Sequence, residues 1–582
     1  MKNSLCLVVI LCLILSLGCK NTNEKTDTST VTDSTESTSK RFAFLCTALP
    51  ADADWYLTDS NSPMFDDLGD LHFPITTASE EAQKYFDQGL TLAYGFNHAE
   101  AARSFYTATR IDTSCAMCFW GYAYVLGPNY NAGMEPDHYQ RAFDAISKAE
   151  SLSENCTDKE KGLIEAMSAR YTPEEPEDRS EFDLAYSEKL KQLTLQYPDD
   201  PDIAALYAES LMDMHPWDLY DKTGEEKPWT PEIMSALNNV LEIDPQHPGG
   251  HHFYIHAVEA SSTPERGLKS AEIFDNGLVP GSGHLVHMPS HIYIRTGYYH
   301  KGTLANQRAV KVDSAYTTTC HAQGAYPLAY YPHNYHFMSA TATLAGNSKV
   351  AIEAAKATSE LAHPQLMKEQ GWGTLQHYYS IPYFILVKFG KWQQVLNIPE
   401  ETVELTYPRA VRHYARGMAF AASNDPEKAR FELKQLKELS TDESISEITI
   451  WDINPASSIL EIAIKVLEGE IAIAEKEYDK AVESFRDAVT IEDGLNYDEP
   501  PDWFLSVRHH LGEALIRAAN PAEARKVFER DLEIFPENGW ALHGLMISHR
   551  DLGNEEEMNS YNERYFKAWE HADIGLSVSK AL

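Results

Sequence analysis

One spacing recurs along this 582-residue chain. In GEIAIAEKEYDKAVESFRDAV, Gly469, Ala481, Phe485 and Ala488 follow one another at intervals of 12, 4 and 3 residues. Gly89, Ala101, Phe105 and Ala108 repeat those intervals near the N-terminus, and Gly512, Ala524 and Phe528 repeat the first two of them after Phe485. Helices that approach closely need small residues where they touch and a large side chain in the gap. Chance amphipathic helices do not keep such a register. At this length one ordinary core is excluded, and self-similarity at about 34 residues marks a repeat array.

On these residues the chain resembles the tetratricopeptide repeat family. Pro536 closes the Gly512 copy, a weaker copy carries Trp540 and Gly544, and FWGYAYVLG (119–127) opens the helix after the Gly89 copy. The resemblance implies an all-α, right-handed solenoid of antiparallel helix pairs. Alternating β-branched runs are absent from the sequence. The expected organisation is a signal peptide over 1–19, a disordered tether over 20–40 and an irregular lead over 41–79. Helical hairpins follow over 80–200, then a His-rich helical region over 201–345, then repeats over 346–582. YTPEEPEDRS (171–180), HPWDLYDKTGEEKPWTPE (215–232) and DGLNYDEPPD (493–502) interrupt the period and are expected to project from the solenoid.

The N-terminus reads as an address. Lys2 precedes the apolar run LCLVVILCLILSL (5–17), which is too short to span a bilayer comfortably and suits a signal peptide. Gly18-Cys19 resembles a bacterial lipobox with Cys19 as the lipidated residue. The departure is Ser16, where leucine is usual, with Leu15 and Leu17 on either side. The Ser/Thr/Asp/Glu-rich stretch 20–40 cannot bury enough surface to fold and suits a spacer. The expectation is a bacterial envelope lipoprotein held to the membrane through its N-terminal lipid. A formal charge of −38 predicts no nucleic-acid partner. Cys115-Ala-Met-Cys118 reads either as two small apolar residues at a helix start or as a redox pair; Cys46, Cys156 and Cys320 also remain.

Of 23 histidines, 12 lie between His215 and His336. They cluster in HHFYIHAVE (251–259), GHLVHMPSHI (283–292) and YPHNYHF (331–337). His252 and His256 are four apart with Glu259 three further on, so all three share one helical face. Pro289 suits only a first helical turn, which predicts a helix starting at 286–288 and leaves His284 on the approach. The resemblance sets His284, His287 and His291, and equally His333 and His336, at helix positions that line the groove of such repeats.

Two readings follow. One is a scaffold that holds a protein, peptide or small ligand in a groove formed by His284, His333, Tyr254, Tyr293, Tyr335 and Trp217. The other is a metalloprotein, with or without catalysis, in which His252, His256, Glu259, His287, His291 and His336 surround one divalent transition ion. Imidazole donors favour zinc, copper, iron or nickel. No phosphate loop, nucleophile elbow or HExxH motif names a reaction.

Overall fold

The computed structural model describes residues 55–320, 326–399 and 404–576. The signal peptide, Cys19, the tether and Cys46 lie outside the described residues, as does the side chain of Cys320. Trp55–Leu57 is one 3-10 turn, and residues 58–79 carry neither helix nor strand. From Glu80 onward the chain is helical hairpins. Strand among the described residues is confined to Thr449–Ile450 pairing antiparallel with Asn454–Pro455. No described helix is long and apolar enough to cross a membrane.

Four hairpins share one turn chemistry. Glu80–Tyr94 joins His98–Ile111 through residues 95–97, and Tyr331–Leu344 joins Ser348–Leu361 through 345–347. Thr406–Ala422 and Pro426–Ser440 are joined through 423–425, and Arg508–Arg517 and Pro521–Ile534 through 518–520. Links this short reverse the chain, so each pair is antiparallel. The middle residue is left-handed every time: Phe96 (φ 53°), Gly346 (φ 73°), Asn424 (φ 58°) and Ala519 (φ 57°). The N–H that follows donates back to a carbonyl five residues earlier, as from Asn97 to Leu92 (2.9 Å) and from Asn520 to Leu515 (2.8 Å). That same residue caps the second helix. The side chains of Asn97, Asn347, Asp425 and Asn520 accept from the backbone N–H of Glu100, Val350, Lys428 and Glu523. One Asx residue therefore ends one helix and starts the next.

Between hairpins the spacing is set by a phenyl ring. A Cβ at Gly89 would lie 2.9 Å from the ring of Phe105, and one at Gly121 would lie 2.3 Å from it. Phe528 is held likewise between Gly512 (2.2 Å) and Gly544 (2.4 Å). Each ring sits against the glycine of its own hairpin and the glycine of the next, so it sets the helix separation inside a hairpin and across the junction. In the central hairpins serine takes the glycine's place. Ser290 and Ser339 are fully buried, and their hydroxyls donate to the carbonyls of His287 (2.8 Å) and His336 (2.8 Å).

Two expectations are corrected. His284 is helical, not on an approach loop: Gly283–His287 precedes Pro289–Arg295, and Met288 is the joint between them. The chain absorbs Pro289 by breaking one helix into two short ones, which keeps all three histidines on helical turns. Two of the insertions, 215–232 and 493–502, do not project either, whereas 171–180 is largely exposed. Trp217 and Tyr497 turn inward, because both segments carry aromatic rings that bury against the central repeats. Both ends of the array also reach those repeats. Phe96 lies against His252, and Gly281 N–H donates to Asp67 O (2.7 Å). From the C-terminal side, Tyr299 Oη donates to Pro536 O (2.7 Å) and Trp540 Nε1 to Thr343 O (3.0 Å).

A Gly512→Ala chain is expected to lose about 1–3 kcal/mol, because the methyl group meets the Phe528 ring. Gly133→Ala, where a Cβ meets nothing within 4 Å, should leave stability unchanged. Thermal unfolding followed by far-UV circular dichroism separates the two, and equal melting temperatures would remove the wedge from the account.

Candidate metal centre

Three helical segments bring the histidines together. Pro248–Glu259 supplies His252 and His256, the broken pair Gly283–His287 and Pro289–Arg295 supplies His284, His287 and His291, and Tyr331–Leu344 supplies His333. His252, His287 and Glu259 are essentially without solvent exposure, and His256, His284 and His291 are buried with them.

The partners of each ring fix where its proton sits. His252 Nδ1 lies 2.6 Å from the carbonyl oxygen of Tyr94, which only accepts, so Nδ1 carries the hydrogen. His287 Nδ1 lies 2.6 Å from Asn306 Oδ1, whose Nδ2 is already donating to Gly302 O (2.9 Å). Glu259 receives two rings at once, His256 Nδ1 on Oε1 (2.7 Å) and His291 Nδ1 on Oε2 (2.5 Å). Burial would raise its carboxyl, but the His291 and His256 rings hold it well below the ordinary carboxylate range, so it stays ionised and accepts both. Four imidazoles thus turn an Nε2 lone pair inward.

The protein offers no hydrogen to the lone pairs of His256, His287 and His291, whereas His252 Nε2 can accept from His284 Nε2, since His284 Nδ1 has no partner. His256 Nε2 is buried with no partner. His287 Nε2 and His291 Nε2 face each other at 2.8 Å, and His252 Nε2 lies 3.1 Å from His284 Nε2. Burial, then the neighbouring rings, holds His252 and His284 well below the usual histidine pKa. Burial does the same to His287, and it lowers His291 although Glu259 pulls the other way. Two neutral rings with lone pairs nose to nose repel. A cation between them reverses the sign of the interaction. An ion bonded at about 2.0–2.1 Å separates tetrahedral nitrogen donors by about 3.3 Å, close to the spacings found. The outer N–H contacts to a carboxylate, a carbonyl and an amide are also those that orient metal-binding imidazoles.

The cluster floors a cavity of about 400 Å³. His256, His284, His291 and His333 open onto it, and Trp217, Tyr130, Tyr330, Trp451 and Tyr497 wall it. Asp498 and Glu499 also line it. Burial pushes both carboxyls well above their usual range, which favours the protonated, hydrogen-donating form. Phe96 closes the inner side, its ring centroid 4.4 Å from His252 and 5.7 Å from His284.

Not every residue singled out in the sequence is here. His336 turns to the next hairpin, its ring 5.7 Å from His377 and 5.3 Å from Tyr378. His284 and His333, expected as groove residues, stand among the potential ligands. Tyr254, Tyr293 and Tyr335 do not line the cavity. Each is two residues from a cluster histidine, and residues two apart leave a helix on different faces. Tyr254 packs on the N-terminal core, Tyr293 Oη donates to Asp275 (3.3 Å), and Tyr335 meets Tyr331. Trp217 does line it. Tyr94, Phe96, Asn306 and the walls from 451 and 497–499 carried no sequence signal, since only tertiary folding brings them near. Elsewhere Cys115 and Cys118 form a disulfide at the start of Ala116–Leu126, and Cys156 is a buried free thiol.

No family model and no curated protein matches the chain. Among solved structures it is similar to a human IFIT1 dimer with m7Gppp-AAAA, at 14% identity, covering 86% of this chain and 92% of that one, with a TM-score of 0.30. It is also similar to yeast Tom70, at 12% identity over 85% and 92% with a TM-score of 0.28. The P58(IPK) TPR domain aligns at 12% identity over 84% and 93%, with a TM-score of 0.18. Superposition that loose carries no functional argument. The register of Gly89, Phe105 and Gly121, repeated at Gly512, Phe528 and Gly544, carries the fold instead: the chain is an all-α array of antiparallel helix pairs that resembles the tetratricopeptide repeat.

Proposed function

We propose that this protein is a metal-binding solenoid, holding a divalent transition ion on buried imidazoles beneath a small-molecule cavity. The observation that carries it is the 2.8 Å approach of His287 Nε2 to His291 Nε2 when both Nδ1 atoms are committed as donors. All-nitrogen ligation suits zinc, copper, iron or nickel and disfavours magnesium and calcium. With aromatic walls and a floor of ligand nitrogens, the cavity has the lining of a small-molecule site. A bound molecule there would meet both the ion and the carboxyl groups of Asp498 and Glu499.

A second reading keeps the repeats as a scaffold for a protein or peptide partner. It is favoured by the repeat architecture itself, which lines up helices for partner binding in general. The two readings are compatible, because the cavity occupies only the central repeats. We further propose export and lipid anchoring at Cys19. The Cys115–Cys118 disulfide agrees with an oxidising compartment.

Purified chain expressed with zinc, copper, iron or nickel is expected to retain one of these metals by elemental analysis. His252→Ala and His291→Ala should lose it while His336→Ala should not; metal-free wild type under all four conditions would end the proposal. Glu259→Gln offers a finer test. An amide accepts one ring N–H but donates toward the other, which forces that ring to move its proton to Nε2 and withdraw a lone pair. Metal affinity, measured by chelator competition, should fall about 10–100-fold, and an unchanged affinity would mean that Glu259 does not set the tautomers. For the anchor, wild type should fractionate with membranes and Cys19→Ser should be released, and lipid-free, soluble wild type would refute it.

A further inference from the structure

The histidine nitrogens gather in two threes, and a further set, His256, Glu259 and His291, takes one histidine from each. One ligand atom each from His252, His256 and His284 lies within 4.8 Å of the other two, and the same holds for His287, His291 and His333. The two groups share no residue. Each joins an i, i+4 pair from one helical segment to a single histidine from the next, so the second copies the first one hairpin further along. Ring centroids within the first group are 4.9 Å apart for His252 with His256 and with His284. Within the second they are 4.7 Å for His287 with His291 and 4.9 Å with His333.

We infer that the cluster is a dinuclear centre, in which His252, His256 and His284 hold one transition-metal ion and His287, His291 and His333 hold a second beside it. The inference rests on the metal reading above and deepens it. Six imidazoles exceed what a single four-coordinate ion can take, and burying surplus neutral rings with unpartnered nitrogens has no structural return. His256 Nε2, His284 Nδ1 and His333 Nδ1 are such nitrogens, so both groups hold donors that the protein leaves unused. Glu259 joins the two halves: one oxygen takes His256 of the first group and the other takes His291 of the second. With its two oxygens so occupied, it orients a ligand of each ion instead of binding one.

Three nitrogens per ion leave an open position on each. The rings of His256 and His291, one from each group, are 5.4 Å apart, and both face the cavity. Paired ions in such centres sit about 3.5–4 Å apart, which permits one small ligand to bridge them. The ligand class that fits is a small molecule with an oxygen donor able to touch both ions, in a cavity lined by Trp217, Tyr330 and the Asp498 and Glu499 carboxyls.

The test is stoichiometry and proximity, with Cu(II) titrated into metal-stripped full-length mature protein. Wild type should bind about two ions per chain, and their electron paramagnetic resonance should show magnetic interaction, as ions about 4 Å apart require. The pair His252→Gln with His284→Gln should bind one ion with an ordinary mononuclear spectrum, and so should His287→Gln with His333→Gln. One ion in the wild type would overturn the dinuclear centre and leave the metal reading standing. None would remove both. Two ions without magnetic interaction would overturn their adjacency. Should either double variant fail to fold by circular dichroism, the wild-type count and spectrum decide the matter.

Discussion

A phenyl ring held between two glycines governs how this chain is built. The contact at Phe105 or Phe528 is too close for any Cβ, so helix backbones meet there at a fixed distance, and the same step appears towards both ends of the array. Everything else is hung on that step. The left-handed link residue and the Asx cap fit because the next helix must begin at once and return along the last. Where serine replaces glycine, at Ser290 and Ser339, the hydroxyl bonds back to its own helix, so close approach survives without an unmatched polar group.

The histidine cluster uses that regularity. Consecutive helices at constant spacing show equivalent positions to one region, so His252, His287 and their i+4 partners meet with no special loop. Helices also supply what loops do not, namely ring orientations fixed by packing. The specialised parts come from breaks in the period. The segments around Trp217 and Tyr497 fold over the cluster and turn a row of helices into a cavity with a floor and walls.

Much of this was legible in the sequence because it is periodic. The Gly–Ala–Phe–Ala register gave the hairpins, and the four-residue spacings of His252/His256 and His287/His291 put those pairs on common faces. Periodicity fails where contacts are not local. Nothing near residue 252 announces that the Tyr94 carbonyl will hold its ring, nor that Asn306 will hold His287. Tyr254, Tyr293 and Tyr335 stay outside the cavity although each is two residues from a cluster histidine, because two helical residues span more than half a turn. Pro289 differs from expectation for another reason: a break at Met288 serves as well as a helix start.

Phe96 and Tyr94 belong to the first hairpin, yet one shields the imidazoles and the other fixes the proton on His252 across 158 residues of chain. The site is therefore a record of completed folding. Until the first hairpin has docked, His252 is free to carry its proton on either nitrogen, and the cluster lacks its inner wall. An ion arriving before that moment meets scattered histidines, with the selectivity of any His-rich peptide. An ion arriving afterwards meets donors already aimed and already dry. On the proposed metal reading, discrimination among metals would then be a property of topology and timing as much as of ligand type, and a variant that loosens the N-terminal hairpin far from the cluster would blur it without altering a single donor.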